Sequence, residues 1–174
     1  MCSVNWRRFG DTVGIVFNRD ESVLRTPALP PKRFAKGGVE FVMPIDPDGG
    51  GSWITMNSAG LVLFVLNDYQ GVMKPASSHL VSRGLLLKSL ASCSNLDEVK
   101  GVLQQWPLSC SQPFYLGCIS NDQQLMWHFD GNPRNVLAGS QPLPHQWYSS
   151  GHPDATAIYA ARQAYVDEQA VTLR

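Results

Sequence analysis

The stretch Met1-Cys2-Ser3-Val4-Asn5-Trp6-Arg7-Arg8-Phe9-Gly10-Asp11-Thr12-Val13-Gly14-Ile15-Val16-Phe17-Asn18-Arg19-Asp20-Glu21 decides how the chain is read. Val4 to Arg8 and Thr12 to Arg19 are β-rich runs, and Gly10-Asp11 between them supplies the turn of an opening hairpin. In such a hairpin the far end of the second strand returns beside the start of the first. Asn18, Arg19 and Asp20 are therefore expected next to Cys2. Cysteine is small enough for the initiator Met1 to be removed, and the mature residue then carries both a thiol and a free α-amine. An α-amine titrates near ~7.7 to 8.0 and a thiol near ~8.5, so one residue holds a base and a nucleophile suited to neutral pH. Asp20 can accept hydrogen bonds from the α-ammonium, and Arg19 can stabilise a thiolate or a substrate carboxylate. The same residues also fit a solvated turn with one surface salt bridge.

Outward from this hairpin, Thr26 to Lys36 contains Pro27, Pro30 and Pro31 without periodicity and reads as an irregular surface loop. Val39 to Met43 is a short strand. Ser52 to Met56 and Leu61 to Leu66 flank Asn57-Ser58-Ala59-Gly60, and the second run is apolar on both faces, as a strand between two layers must be. Ser78 to Ser92 reads as a helix. A second helix follows, with Asn95 as N-cap, Glu98 completing a capping box and Pro107 as the stop. Phe114 to Ser120 and Gln123 to Phe129 form another hairpin, with Arg134 to Ala138 as a third strand, and Pro153 to Gln169 is the last helix. Strands, two helices, strands and a helix in that order signal a single α+β layered domain over residues 1–174 rather than alternating βαβ units.

Composition excludes several classes. The 14 basic and 14 acidic residues balance, so no broad field exists to collect nucleic acid or an anionic membrane. No apolar run approaches the ~20 residues of a membrane helix and the first residues lack a secretory apolar region, so a cytoplasmic location is expected. The four cysteines (Cys2, Cys93, Cys110, Cys118) form no CxxC pair or zinc spacing and are expected to be free thiols. Gly49-Gly50-Gly51 precedes a strand and no lysine, so a phosphate loop is disfavoured. The histidines make no ligand pair and no metal site is expected. His145 and His152, which flank Ser149-Ser150, are the candidates for a haem ligand, since single-histidine ligation needs no motif.

Met1-Cys2, Phe17-Asn18-Arg19-Asp20-Glu21, Gly49-Gly50-Gly51-Ser52-Trp53, Asn57-Ser58-Ala59-Gly60, Asn67-Asp68-Tyr69 and Ser82-Arg83-Gly84 together resemble the NRDE family, which includes the Transport and Golgi organisation 2 proteins. That family is in turn similar to N-terminal-nucleophile (Ntn) hydrolases of the penicillin V acylase and choloylglycine hydrolase type. The resemblance implies an αββα sandwich and a Cys2 nucleophile with Asp20 as partner of its amine. It also implies Arg19 or Asn18 beside the sulfur, and strand alternation allows only one of that pair on the thiol's side. Asn67, at the end of a buried strand, is the matching place for an oxyanion-hole donor. Trp53, Tyr69, Arg83 and Ser149 are the candidate substrate-binding residues.

The implied activity is hydrolysis of a C–N amide bond, non-peptide or in a small peptide, without a cofactor. The alternative is a non-enzymatic intracellular carrier or chaperone for haem or acyl-CoA and lipid on the same fold. Two departures stand out. Tyr148-Ser149-Ser150-Gly151 occupies the region where the acylases place a further oxyanion-hole asparagine, and the chain reaches Arg174 soon after its last helix, as expected of either a version abbreviated at the C-terminus or a fragment.

Overall fold

A computed structural model describes residues 2–69, 80–132, 141–149 and 154–172. The opening hairpin is present as β1 (Cys2–Phe9) and β2 (Thr12–Asn18). Gly10 turns the chain at φ 58°, where a side chain would be strained. The register sets Ser3 opposite Asn18 and Val4 opposite Phe17, so the end of β2 returns to the start of β1.

The next four strands are β3 (Leu29–Lys36), β4 (Val39–Ile45), β5 (Ile54–Asn57) and β6 (Val62–Asn67). Helices α1 (Arg83–Leu90) and α2 (Leu96–Gln105) follow, then β7 (Phe114–Ile119), β8 (Gln124–Phe129) and the short β9 (Gln141–Pro142). These strands form one antiparallel sheet in the order β3-β4-β5-β6-β7-β8-β9. A final short strand, β10 (Gln146–Ser149), joins the free edge of β1 and completes a second sheet, β10-β1-β2. Helix α3 (Ala155–Thr172) comes last.

Side-chain alternation along β6 explains the layering. Leu63 and Val65 face one way into a core shared with Leu86, Leu87 and Leu90 of α1 and Val99 and Leu103 of α2. Phe64 and Leu66 face the other way and meet Val4 and Trp6 of β1. Both faces of β6 are thus buried, which is why its sequence is apolar throughout; each such large side chain contributes about 1.5–3 kcal/mol. On the outer face of the small sheet, Arg162 of α3 bonds Ser3 Oγ at 3.3 Å, and the Tyr159 hydroxyl donates to the Tyr148 carbonyl. The order through the molecule is helices, large sheet, small sheet, helix.

Two expectations need correction. Residues 26–36 are not an irregular loop throughout, because Leu29–Lys36 is the strand β3. Pro30 and Pro31 are tolerated there because β3 is an edge strand and its pairing with β4 shifts register between Leu29 and Lys32. Residues 80–82 are not helical, so α1 begins at Arg83, with Ser82 as N-cap accepting from the Gly84 amide, and the expected start at 78–79 lies outside the described residues. The third strand expected at 134–138 lies outside the described residues. Strand β10 escaped the sequence reading, since four residues closely preceded by Pro144 leave little periodicity to detect.

Candidate functional site

Cys2 enters the site because alternation along β1 turns Cys2, Val4 and Trp6 toward the large sheet and Ser3 and Asn5 toward α3. Its side chain opens into a cleft of about 320 Å³ lined by, among others, Arg19, Trp53, Asn67, Ser82 and Arg83. Burial pushes the Cys2 thiol upward. A hydrogen bond from the Asp20 backbone amide opposes that rise, and the negative charges of Asp20 and Glu21 add to it.

One wall of the cleft is the corner after β2. Arg19 donates through Nη2 to Glu21 at 3.0 Å and to Asp46 at 3.2 Å, and its guanidinium lies 4.6 Å from the Trp53 ring centre. Arg25 also reaches Asp46, at 2.6 Å, and approaches Asp48 at 3.4 Å. The corner holds two guanidinium groups against three carboxylates.

Another wall is the amino end of α1. Here two glycine-bearing segments far apart in sequence meet, with the Ser52 amide donating to the Gly84 carbonyl at 3.1 Å. A Cβ on Gly51 would lie 2.4–2.8 Å from Gly84 backbone atoms, so only glycine lets the helix end come this close. Gly50 (φ 64°) and the bond from the Gly50 amide to the Asp46 carbonyl, 2.7 Å, shape the loop that brings Gly51 in. Arg83 donates Nη1 to the Pro113 carbonyl at 3.0 Å, and no carboxylate among the described residues lies within ion-pair distance of it. Burial lowers the pKa of this guanidinium, while Tyr69, Cys2 and Glu21 act to raise it.

The structure brings Cys2, Arg19, Trp53, Asn67 and Arg83 into one cleft. Asn18 lies on the α3 side of the small sheet and donates to Ser3 Oγ at 3.4 Å, whereas Arg19 borders that side and also lines the cleft of Cys2, so it is the one of the pair that reaches the thiol's side. The Asp20 carboxylate meets Arg162 of α3 at 3.1 Å, while its backbone faces the thiol.

Ser149, expected at the substrate, does not line the cleft; register places it opposite Cys2 on β10, buried, and its hydroxyl donates to the Asn67 carbonyl. Asn67 gives its own amide to the Tyr69 hydroxyl at 2.8 Å, and Tyr69 is 54% exposed beyond the cleft lining. His145 lies outside the cleft, its ring tilted against Trp6 with ring centres 4.4 Å apart, and His152 lies outside the described residues. Among the described residues no cluster of three histidine, cysteine or acidic side chains is arranged to hold a metal, and no helix is long and apolar enough to cross a membrane.

Sequence reading missed Asp46, Arg25 and Arg162. Asp46 could have been sought as a counter-charge for Arg19, but only folding reveals that the segment before Gly49 returns to it.

No protein-family model matches the sequence, and no curated protein matches it. Among solved structures the chain is similar to penicillin V acylase from Agrobacterium tumefaciens, with TM-score 0.45 and 15% identity over 95% of this chain and 49% of the acylase. The chain thus spans about half the length of that protein.

Proposed function

We propose that the protein is an Ntn-type cysteine amidohydrolase in which Cys2, freed of Met1, attacks a C–N amide. The observation that carries this reading is the shared cleft, in which the thiol faces Arg19, Asn67 and Arg83 while the Asp20 amide bonds its sulfur. The α-amine of Cys2 takes the thiol proton as sulfur adds to the carbonyl carbon. Collapse of the tetrahedral species breaks the C–N bond, and the amine's proton goes to the leaving nitrogen. Water then adds to the thioester, giving one proton to the α-amine; the thiolate departs, recovers that proton, and a carboxylic acid leaves.

Asp20 and Arg19 act by position. The Asp20 amide holds the sulfur, and its carboxylate, whose charge acts on Cys2, orients the ammonium that Cys2 carries. Arg19 is fixed by its two carboxylates and Trp53, so it supplies a rigid edge to the thiol's surroundings. Asn67 is the donor nearest in role to an oxyanion hole, provided its amide exchanges the Tyr69 hydroxyl for the developing oxyanion.

The test is intact mass after brief exposure to a panel of activated amides and esters. The expected result is loss of Met1 in the purified protein and a single acyl adduct that is absent from Cys2→Ala. Retained Met1, or an adduct that survives in Cys2→Ala, contradicts the mechanism.

A further inference from the structure

The outermost strand of a sheet carries backbone N–H and C=O groups without a partner, and folded proteins blunt such edges with short strands, proline, basic side chains or bulges. Among the described residues, three of the four sheet edges are blunted in this way. β3 carries Pro30, Pro31, Lys32, Arg33 and Lys36 and a register shift, β9 is the dipeptide Gln141–Pro142, and β10 has four residues. β2, the outer strand of the small sheet, is different. Thr12–Asn18 pairs with β1 in unbroken register over seven residues, with no proline and no charged side chain.

The register fixes which of its backbone groups point outward. Phe9 and Thr12 flank the two-residue turn and form the first bonded pair, so Arg7–Gly14, Asn5–Val16 and Ser3–Asn18 follow as bonded pairs. Trp6 agrees with this phase, since its amide bonds away from β2, to the His145 carbonyl at 3.0 Å. Val13, Ile15 and Phe17 therefore aim their N–H and C=O groups out of the edge, where no described strand takes them.

The side chains of this edge complement a second copy of themselves. Phe9 and Val16 are large apolar residues exposed to 67% and 60% on the outer face of the hairpin. Gly14 stands on the same face with the Phe9 ring against it, because a Cβ there would lie 3.3 Å from Phe9 Cε2. An antiparallel two-fold through Ile15 pairs Ile15 with Ile15 and Val13 with Phe17, and only this register engages all three outward residues on both copies. It also sets Gly14 of each copy opposite Val16 of the other. Val16 of the second copy then enters the space beside the Phe9 ring that Gly14 leaves without a side chain. With no charge on either strand, like charges do not meet.

We propose that β2 is a homodimer interface, at which the small sheets of two copies join edge to edge across a two-fold at Ile15 into one continuous sheet. This claim is independent of the reading of Cys2. A second copy is the occupant because the pairing satisfies both free edges at once and ends the assembly at two chains. One strand edge buries less than the ~1,200 Å² of a standard interface, so the expected dissociation constant is about 10–100 µM.

Sedimentation velocity on the full chain between about 1 and 300 µM should show the mass rising from monomer toward dimer. Val16→Lys puts a charge beside Phe9 of the second copy and is expected to weaken the dimer about tenfold with an unchanged far-ultraviolet circular dichroism spectrum. Disulfide trapping reads the register at two exposed positions, since Thr12 lies opposite Asn18 of the second copy in a non-bonded pair with Cα atoms ~4.5 Å apart. A mixture of Thr12→Cys and Asn18→Cys proteins should form the disulfide between positions 12 and 18, mapped by peptide mass spectrometry, about tenfold faster than either variant links to itself. A chain that stays monomeric at the highest concentration overturns the proposal, as do assemblies larger than dimers. A dimer unmoved by Val16→Lys overturns it too, and so does trapping no faster in the mixture than in either variant alone, an outcome that is read even if Val16→Lys does not fold.

Discussion

The two walls flanking Cys2 are built on opposite electrostatic plans. The corner after β2 is closed, because Arg19 and Arg25 share Asp46 and each also meets Glu21. The amino end of α1 is open, with Arg83 at its first position and no carboxylate beside it among the described residues. A closed network holds geometry and attracts little; an open cation attracts and contributes little to stability. The cleft therefore joins one wall whose charges are already paired to another whose cation meets no carboxylate among the described residues.

The strongest way to break this comparison is to push the open wall away from the closed one. Gly51→Ala places a Cβ 2.4–2.8 Å from Gly84 backbone atoms, which cannot rotate aside as a side chain could. It is expected to cost about 3 kcal/mol in urea denaturation. The same change at Gly101, inside α2, meets no atom within 4 Å and is expected to stabilise by about 0.5–1 kcal/mol. Equal effects at the two sites would mean that the Gly51–Gly84 contact does not position α1.

A smaller perturbation opens the closed wall. Asp46→Asn keeps an oxygen for the Asp48 amide, 3.2 Å away, but removes the charge that Arg19 and Arg25 share. Arg19 and Asp46 are each about one-seventh exposed, at 14% and 15%, so the pair is screened less than a surface bridge. The expected loss is about 1–2 kcal/mol. A variant as stable as the parent would show that this charge does not hold the corner closed.

Much of this arrangement was legible in the chain because it depends on local rules. The opening hairpin follows from Gly10-Asp11 between two β-rich runs, and its register alone brings the Asn18–Asp20 corner to Cys2. Alternation also allowed only one of Asn18 and Arg19 on the thiol's side, and the cleft contains Arg19. The capping residue Asn95 was equally plain, its side chain accepting from the Asp97 and Glu98 amides at the start of α2.

What could not be read were meetings between distant segments. Asn57 looked like a turn residue, yet its amide also clamps the Ala91 and Cys93 carbonyls at the end of α1. Ser149 looked like a ligand contact, but pairing of β10 with β1 spends its hydroxyl on Asn67. Strand β3 was hidden because its prolines suit an edge, and edge position is a property of the finished sheet.

The smallest effect concerns the pH at which the thiol works between these walls. Burial raises the Cys2 thiol and outweighs the Asp20 amide bond, so the neutral form is favoured in the folded protein. The sign follows: stabilisation of the protonated thiol is fully present below the unfolded pKa and is lost as pH rises through the folded one. Alkylation by neutral iodoacetamide needs a preformed thiolate, so its rate at Cys2 should climb about tenfold per pH unit through neutrality and level only above the ~8.5 of an exposed thiol. Amide cleavage has no such requirement, because the adjacent α-amine takes the thiol proton during attack. Its rate should instead rise as that amine loses its own proton, near ~7.7 to 8.0, and flatten while alkylation is still climbing. Two separated profiles identify the amine as the base, whereas coincident profiles mean that cleavage also waits for the free thiolate and that the α-amine is a bystander.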